Sequence, residues 1–198
     1  ASGIAYQSAI MPVKVLDRDG FGSNSGIAEG IDYAVNFRQG SVNPVRVINL
    51  SLGGPTRSQV LQSAVDRAVA AGITVVASSG NDNTSPVDFP AGFSNVIAVG
   101  SVDGRKVKAP YSSFGADLDL MAPGGDIRRD DNGDGRPDGV LQQTFDPASA
   151  ALGRYDNFAY YFVVGTSQAA PQVSALAALL ARQGIRHPKA IQAAMEQT

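Results

Sequence analysis

Short apolar stretches alternate with amphipathic ones along the first half of the chain. Runs of β-branched and other apolar residues predict buried strands at residues 9–16, 45–52, 73–78 and 95–102. Between these strands, apolar residues recur at helical spacing over residues 26–38 and 57–71. Strands that are apolar on both faces and alternate with helices indicate a parallel sheet covered by helices. We therefore predict an α/β fold with a parallel sheet flanked by helices.

The pattern changes after residue 109. A short strand is predicted near residues 118–121, and the polar, glycine-rich stretch 124–139 has no periodicity. Helical spacing returns over residues 165–180 and near 188–196. Because a core-like helix follows the polar stretch, we interpret residues 1–198 as a single domain with an acidic loop insertion near 124–146.

Composition narrows the class of protein. The chain has 198 residues, 43% hydrophobic and 17% charged, which is enough for one globular domain with a sizeable core. Its net charge of -2 argues against nucleic acid and against an anionic membrane as the main partner. No apolar run reaches transmembrane length. The absence of cysteine excludes disulfides and thiol chemistry.

Three loops rich in Gly, Ser and Asn follow predicted strands. They read DRDGFGS at 17–23, SLGGP at 51–55 and SSGNDN at 78–83. The carboxyl ends of parallel strands meet at one edge of a sheet, where ligands gather. Each loop alone is typical of an ordinary βα turn. Three at one edge, with Ser167 expected at the start of an alanine-rich helix, favour a functional site.

Six segments occur in an order that resembles the subtilases, the subtilisin-like serine peptidases. They cover nearly the whole chain and read IMPVKVLDRDGFGS, VINLSLGG, VVASSGNDN, FPAGFSNVIAVGSVD, YSSFGADLDLMAPGG and GTSQAAPQVSALAALL. The resemblance implies that Ser167 is a nucleophile that forms an acyl-enzyme with a polypeptide substrate, and that Asn81 donates a hydrogen bond to the developing oxyanion. The structural alternatives are that Ser167 only caps its helix and that Asn81 only closes a turn.

The resemblance also implies a substrate cleft. One rim is the glycine-rich turn near residue 20 and the other is the loop after the strand at 45–52, so that an extended substrate adds a strand between them. Residues 51–54 and 78–81 resemble the walls of the primary specificity pocket, and Asp88 lies near its floor, where it would favour Lys or Arg side chains. The alternative for Asp88 is a carboxylate directed to solvent or to calcium. The substrate-binding candidates are Gly20, Phe21, Gly22, Ser51, Leu52, Gly53, Gly54, Ser78, Ser79, Gly80 and Asp88.

The base that should activate Ser167 has no counterpart in this sequence. The family uses Asp, His and Ser in that chain order, but the one histidine, His187, follows the serine. The family's aspartate and histidine motifs are absent, and neither Asp17 nor Asp19 matches the aspartate motif. We expect the C-terminal part of a peptidase domain, with its N-terminal strands missing, that is inactive without the missing N-terminal segment. The alternatives are a peptide-binding module that does not cut its ligand and a calcium-dependent structural module.

The acidic stretch DDNGDGRPD resembles a calcium loop. Oxygen-bearing side chains alternate around a glycine, as in D-x-N-x-D-G, and the candidate ligands are Asp130, Asn132, Asp134 and Asp138. Leu141 stands where such a loop would carry a bidentate glutamate. A structural calcium site and a solvated loop therefore both remain open.

Further expectations follow from the resemblance. Secretion is expected, and Gln168 stands where many relatives carry methionine beside the nucleophile. In the family, the strand that matches 10–16 lies between the first two strands of the domain, which would both belong to the missing segment, and the strand that matches 45–50 would lose one neighbour. We expect the strands at 10–16 and 45–50 either to pair directly or to leave open edges that associate between chains.

Overall fold

Four parallel strands form the central sheet of the computed structural model, which describes residues 3–197. The helices are α1 (Asn24–Asn36), α2 (Gln59–Ala70), α3 (Pro147–Ala151), α4 (Thr166–Arg182) and α5 (Pro188–Glu196). The strands are β1 (Val47–Leu50), β2 (Thr74–Ser78), β3 (Ile97–Val102), β4 (Leu120–Pro123), β5 (Val140–Phe145) and β6 (Phe158–Val163). The sheet has the order β1-β2-β3-β4, with Ile48 opposite Val75 and Ala77 opposite Ala98. The predicted α/β architecture is confirmed.

Helices cover both faces of this sheet, which explains why its strands are apolar throughout. Consecutive residues of a strand point to opposite faces. Val75 and Ala77 belong to the core formed with α1 and α2, whereas Val76 belongs to the core formed with α4 and α5. Within residues 3–197, no helix is both long enough and apolar enough to cross a membrane.

The alanine-rich helix α4 lies close against the sheet because its small residues allow a near approach. Ala169, Ala170 and Ala177 are fully buried, and α4 contacts all four strands of the sheet. Its N-terminus lies at the carboxyl edge of the sheet, where Ser51 follows β1 and Gly80 follows β2. The fold thus brings the start of α4 to the loops that the sequence predicts as a site.

The prediction of a strand at residues 9–16 is wrong. This segment has no regular secondary structure, and Ile10 is 88% exposed. β1 pairs only with β2 and forms the edge of the sheet. An extended segment becomes a strand only where a neighbour accepts its backbone hydrogen bonds. No such neighbour lies beside 9–16 in the part of the chain that is described, so the expected direct pairing with β1 does not occur.

The predicted insertion at 124–146 is a loop only in its first part. Residues 124–139 form turns, but Val140–Phe145 form β5, which pairs antiparallel with β6. β6 reads FAYYFV, an aromatic and β-branched run that is typical of strands. That run is the signal from which the hairpin could have been predicted.

The open edge of β1 leads to a prediction about self-association. The Thr74 N–H donates to Arg46 O at 2.9 Å. Because alternate residues of a parallel strand bond to the same neighbour, Arg46 and Ile48 bond to β2. The N–H groups of Val47 and Asn49 therefore point to the open edge. We expect the 198-residue chain to associate as its concentration rises, as measured by sedimentation velocity. Val47→Pro removes one outward donor at a position that tolerates proline and should weaken association. A wild-type chain that stays monomeric at every concentration would contradict this prediction.

Candidate active site

Ser167 is the second residue of α4 and contacts the end of β1. Its Oγ donates a hydrogen bond to Ser51 O at 3.2 Å, and Ser51 Oγ donates to Ser167 O at 2.9 Å. Gly165 precedes the helix with φ +148°, and a Cβ there would lie 2.7 Å from Gln168 Oε1. Glycine is therefore required for the close turn that presents Ser167 at the sheet edge.

Asn81 is held in one orientation by the residue before the serine. Its Oδ1 accepts hydrogen bonds from Thr166 N at 2.9 Å and from Thr166 Oγ1 at 3.0 Å. Because the amide oxygen is occupied, the Nδ2 group is directed elsewhere, and it has no hydrogen-bond partner among the described residues. The backbone N–H of Ser167 belongs to the first turn of α4 and also has no intrahelical acceptor. The start of α4 thus carries two available donors beside the Ser167 hydroxyl.

His187 does not lie near Ser167. It is an exposed residue at the start of α5, beyond the far end of α4. The helix from Ser167 to Arg182 alone spans about 22 Å at 1.5 Å per residue. His187 is therefore not the base for Ser167 within this chain, in agreement with the sequence interpretation.

A large groove opens beside Ser167. Its volume is about 1720 Å³. It is bordered by the unpaired N-terminal segment (residues 3–15), by β1 and by one side of α4. Its lining is mainly apolar, and of the residues between 3 and 197 that line it, none is Asp, Glu or His. The groove therefore exposes the nucleophile candidate without supplying a base.

The predicted pocket walls meet at Asp88. A Cβ on Gly80 would lie 2.5 Å from Asp88 Oδ2, and a Cβ on Gly53 would lie 3.2 Å from Asp88 Cβ. Gly54 and Phe89 exchange backbone hydrogen bonds at 3.0 and 2.9 Å, which joins the loop after β1 to the segment that carries Asp88. Partial burial raises the pKa of the Asp88 carboxyl above its ordinary value, and the negative charge of Asp82 raises this pKa further.

The remaining wall residues differ in exposure. Ser78 and Ser79 are buried, and Ser79 Oγ donates to Ser113 O at 3.2 Å. Ser51, Leu52 and Gly54 are half-buried. The side chains of Ser78 and Ser79 thus lie inside the protein, so a ligand could contact these two residues only through their backbone.

The turn proposed as the other rim is an exposed loop in front of α1. Asp17 Oδ1 accepts hydrogen bonds from Phe21 N and Asp19 N, both at 2.9 Å. The hydrogen bond from Phe21 N, and to a smaller extent the one from Asp19 N, holds the pKa of the Asp17 carboxyl below its ordinary value. Phe21 is 75% exposed, and Gly22 packs so closely on Val15 O that a Cβ would lie 2.5 Å from it. The role of Gly20, Phe21 and Gly22 in binding substrate stays a prediction.

The acidic loop is held together by its own side chains. Asp130 accepts hydrogen bonds from the N–H groups of Asp134 and Gly135, and Asn132 also accepts from Asp134 N. Asp138 accepts from Asp131 N at 2.5 Å. Over residues 3–197, no group of three or more His, Asp or Glu side chains is arranged to hold a metal ion. The calcium site stays a prediction.

Two residues beside the nucleophile were not predicted from the sequence. Thr166 orients Asn81, as described above. Gln172 donates through Nε2 to Pro123 O at 2.5 Å and to Gln168 O at 3.0 Å, which ties the first turn of α4 to the end of β4. The position of Thr166 directly before Ser167 was the available signal for its role. The role of Gln172 depends on a contact between elements that are distant in the sequence, so no local signal predicts it.

Comparison with known proteins gives one consistent result. A profile described as the Subtilase family matches residues 1–198. Subtilisin from Bacillus pumilus is 40% identical over 182 residues, which are 90% of this chain and 55% of that protein. Subtilisin E from Bacillus subtilis (strain 168) is 38% identical over 182 residues, which are 90% of this chain and 40% of that protein. The chain thus spans about half the length of the curated relatives it matches.

Solved structures agree with the sequence comparison. A protease from Pseudoalteromonas arctica PAMC 21717 superposes with a TM-score of 0.83 at 34% identity, covering 99% of this chain and 57% of that one. A cold adapted subtilisin-like serine proteinase superposes with a TM-score of 0.71 at 26% identity, covering 93% of this chain and 57% of that one. Together with a serine at the start of α4 that contacts Ser51, these matches show that the chain belongs to the subtilase family.

Proposed function

We propose that this chain carries the nucleophile, the oxyanion donors and the specificity pocket of a serine endopeptidase that acts on polypeptides. The observation that carries the proposal is the orientation of Asn81. Its amide oxygen is engaged by Thr166, so its Nδ2 donor stays available beside Ser167. If Asn81 only closed a turn, its side chain would not need the two hydrogen bonds from Thr166, the residue that precedes Ser167. Ser167 is half-buried in the first turn of a buried helix, which suits a nucleophile that must be both accessible and rigid.

The proposed reaction is acyl transfer to Ser167. Its Oγ attacks the carbonyl carbon of the scissile peptide bond while a base takes the hydroxyl proton. The carbonyl oxygen becomes negative and accepts hydrogen bonds from Asn81 Nδ2 and from the backbone N–H of Ser167. The C–N bond then breaks, the amine leaves with the proton, and water hydrolyses the acyl-enzyme by the same route in reverse.

The groove beside Ser167 supports a base that is supplied from outside this sequence. Its volume of about 1720 Å³ exceeds the about 300–1,000 Å³ typical of small-molecule sites. It also adjoins the open edge of β1, which offers backbone hydrogen bonds to an added strand. We propose that a segment carrying the catalytic aspartate and histidine occupies this groove and brings the imidazole to Ser167 Oγ. We call the chain together with that segment the complete domain.

Adduct mapping tests the proposal. The complete domain is treated with a fluorophosphonate, and the peptides are analysed by mass spectrometry. We expect the adduct on Ser167 alone, and Ser174 of the same helix serves as an internal control because it is nearly buried and its hydroxyl donates to Asn49. No adduct on Ser167 while peptides still bind would favour the non-catalytic binding module instead.

The residue after the nucleophile leads to a prediction about oxidation. Gln168 has no thioether, so peroxide cannot convert it to a sulfoxide next to Ser167. We expect the complete domain to keep its activity in peroxide longer than its Gln168→Met variant. The measurement is the half-life of activity in peroxide for the two proteins. Equal half-lives would show that this position does not control oxidative inactivation.

Secretion and calcium binding remain proposals from the family resemblance and from the loop sequence. Isothermal titration of calcium into the protein, with Asp134→Ala as the control, separates a calcium site from a solvated loop. A saturating heat that the variant lacks would support calcium, and no heat would support the solvated loop.

A further inference from the structure

The Asp88 carboxylate occupies an unusual position for a charged group. It is half-buried, and among residues 3–197 it has neither a hydrogen bond nor an ion pair. Its backbone is fixed, because Asp88 N donates to Ser79 O and Asp88 O accepts from Gly92 N, both at 2.9 Å. A half-buried charge without a partner is unfavourable and is typical of functional sites.

The surroundings of this carboxylate are shaped by two glycines. Oδ2 would be 2.5 Å from a Cβ on Gly80 and 3.7 Å from a Cβ on Gly53. Gly80 has φ +104°, a conformation that favours glycine. A side chain at Gly80 would clash with the carboxylate, and one at Gly53 would crowd it, so glycine at these two positions leaves room for the Asp88 side chain. The carboxylate lies between the loop after β1 and the loop after β2 and is half-exposed.

The same two loops carry the reactive groups. Gly80 directly precedes Asn81, and Gly53 lies two residues after Ser51, whose Oγ bonds Ser167 O. A substrate whose carbonyl carbon meets Ser167 Oγ and whose oxygen meets Asn81 Nδ2 has its side chain beside these loops. We infer that Asp88 is the specificity-determining residue of this cleft and selects Lys or Arg at the residue whose carbonyl is attacked. The inference rests on the proposed function.

The chemistry of the carboxylate favours a basic side chain over other candidates. An ammonium or guanidinium donates charge-assisted hydrogen bonds and neutralises the unpartnered charge. An apolar side chain would bury the same charge further without a partner, which is costly.

Matched substrates test the inference. The complete domain is assayed on two fluorogenic peptides that differ only in Lys against norleucine, which is nearly isosteric but has no ammonium. We expect kcat/KM to be higher for Lys by about tenfold or more, the worth of one hydrogen bond to a charged group. Asp88→Asn should remove this preference by lowering kcat/KM for Lys and by raising it for norleucine, because the norleucine side chain then no longer buries a charge. Asp82→Asn, an exposed carboxylate one residue after Asn81, is the control and should keep most of the preference.

The outcomes separate this inference from the proposed function. Wild-type preference for norleucine, or an equal loss on both substrates in Asp88→Asn, overturns the role of Asp88 while hydrolysis itself remains established. Failure to hydrolyse either peptide, together with no adduct on Ser167, overturns the proposed function and the inference with it.

A stability measurement gives a second readout that does not depend on activity. The pKa of Asp88 is raised in the folded state, so the folded protein binds its proton more tightly than the unfolded chain does. The resulting stabilisation is present below the unfolded pKa and is lost as pH rises through the folded pKa. Asp88→Asn should therefore raise the thermal midpoint near pH 7 but not near pH 3, measured in a Ser167→Ala background to prevent self-digestion. An unchanged or lower midpoint near pH 7 would mean that Asp88 is not an unpartnered charge.

Discussion

The isolated 198-residue chain is expected to turn over peptide amides about 10⁶-fold more slowly than the complete domain. That magnitude is carried over from the loss of the histidine in subtilisin, a member of the same family, and does not come from this structure. The physical reason is that the Ser167 hydroxyl donates its hydrogen bond to the backbone oxygen of Ser51. A carbonyl oxygen can accept this hydrogen bond but is too weak a base to remove the proton. His187 lies at the far end of α4, and the described lining of the groove contains no Asp, Glu or His.

The rate of labelling by a serine-directed phosphonate measures this prediction without requiring turnover. The isolated chain should label extremely slowly, and the complete domain should label rapidly. Adding the base-bearing segment as a separate polypeptide should restore labelling if it docks in the groove, and Ser167→Ala should abolish labelling in every combination. Rapid stoichiometric labelling of Ser167 in the isolated chain would contradict the prediction and would require a base within these residues.

Replacing Asn81 by alanine in the complete domain is expected to lower kcat by about 10²–10³. This figure also comes from the oxyanion asparagine of a subtilisin rather than from this structure. The Asn81 Nδ2 donor acts on charge that develops only in the transition state, so KM should change little. The cleft retains the backbone N–H of Ser167 as its second donor, which is why activity is reduced and not abolished.

The control for this substitution lies in the same loop. Asn83 carries the same carboxamide, but its Oδ1 accepts from Lys108 Nζ at 2.8 Å, away from Thr166. Asn83 has a φ of +53°, so glycine is the substitution that removes its carboxamide without backbone strain. Asn83→Gly should therefore leave kcat nearly unchanged. Thr166→Val, which removes one of the two bonds that orient Asn81, should give an intermediate loss. A kcat for Asn81→Ala equal to the wild-type value, or a loss confined to KM, would show that Asn81 is not an oxyanion donor.

The local pattern of the sequence determined most of the fold, and sequence motifs singled out two candidate site residues. The strands at β1 to β4 and the helices α1, α2, α4 and α5 follow from apolar runs and helical spacing, because these elements bury the faces that the pattern marks. Ser167 and Asn81 were singled out from motifs that resemble the subtilases, since each belongs to a short stretch next to a predicted element, and their roles stay predictions. Short local signals of this kind can be interpreted without knowing which distant residues pack against them.

Tertiary structure alone decided the features that depend on neighbours. Residues 9–16 have the composition of a buried strand, yet they stay exposed and unpaired because no described strand lies beside them. Strand pairing is a non-local interaction, so an apolar run indicates that a partner is needed but not whether one is present. For the same reason, the hydrogen bonds that orient Asn81 and the absence of any partner for Asp88 became visible only when loops far apart in the chain met at one edge of the sheet.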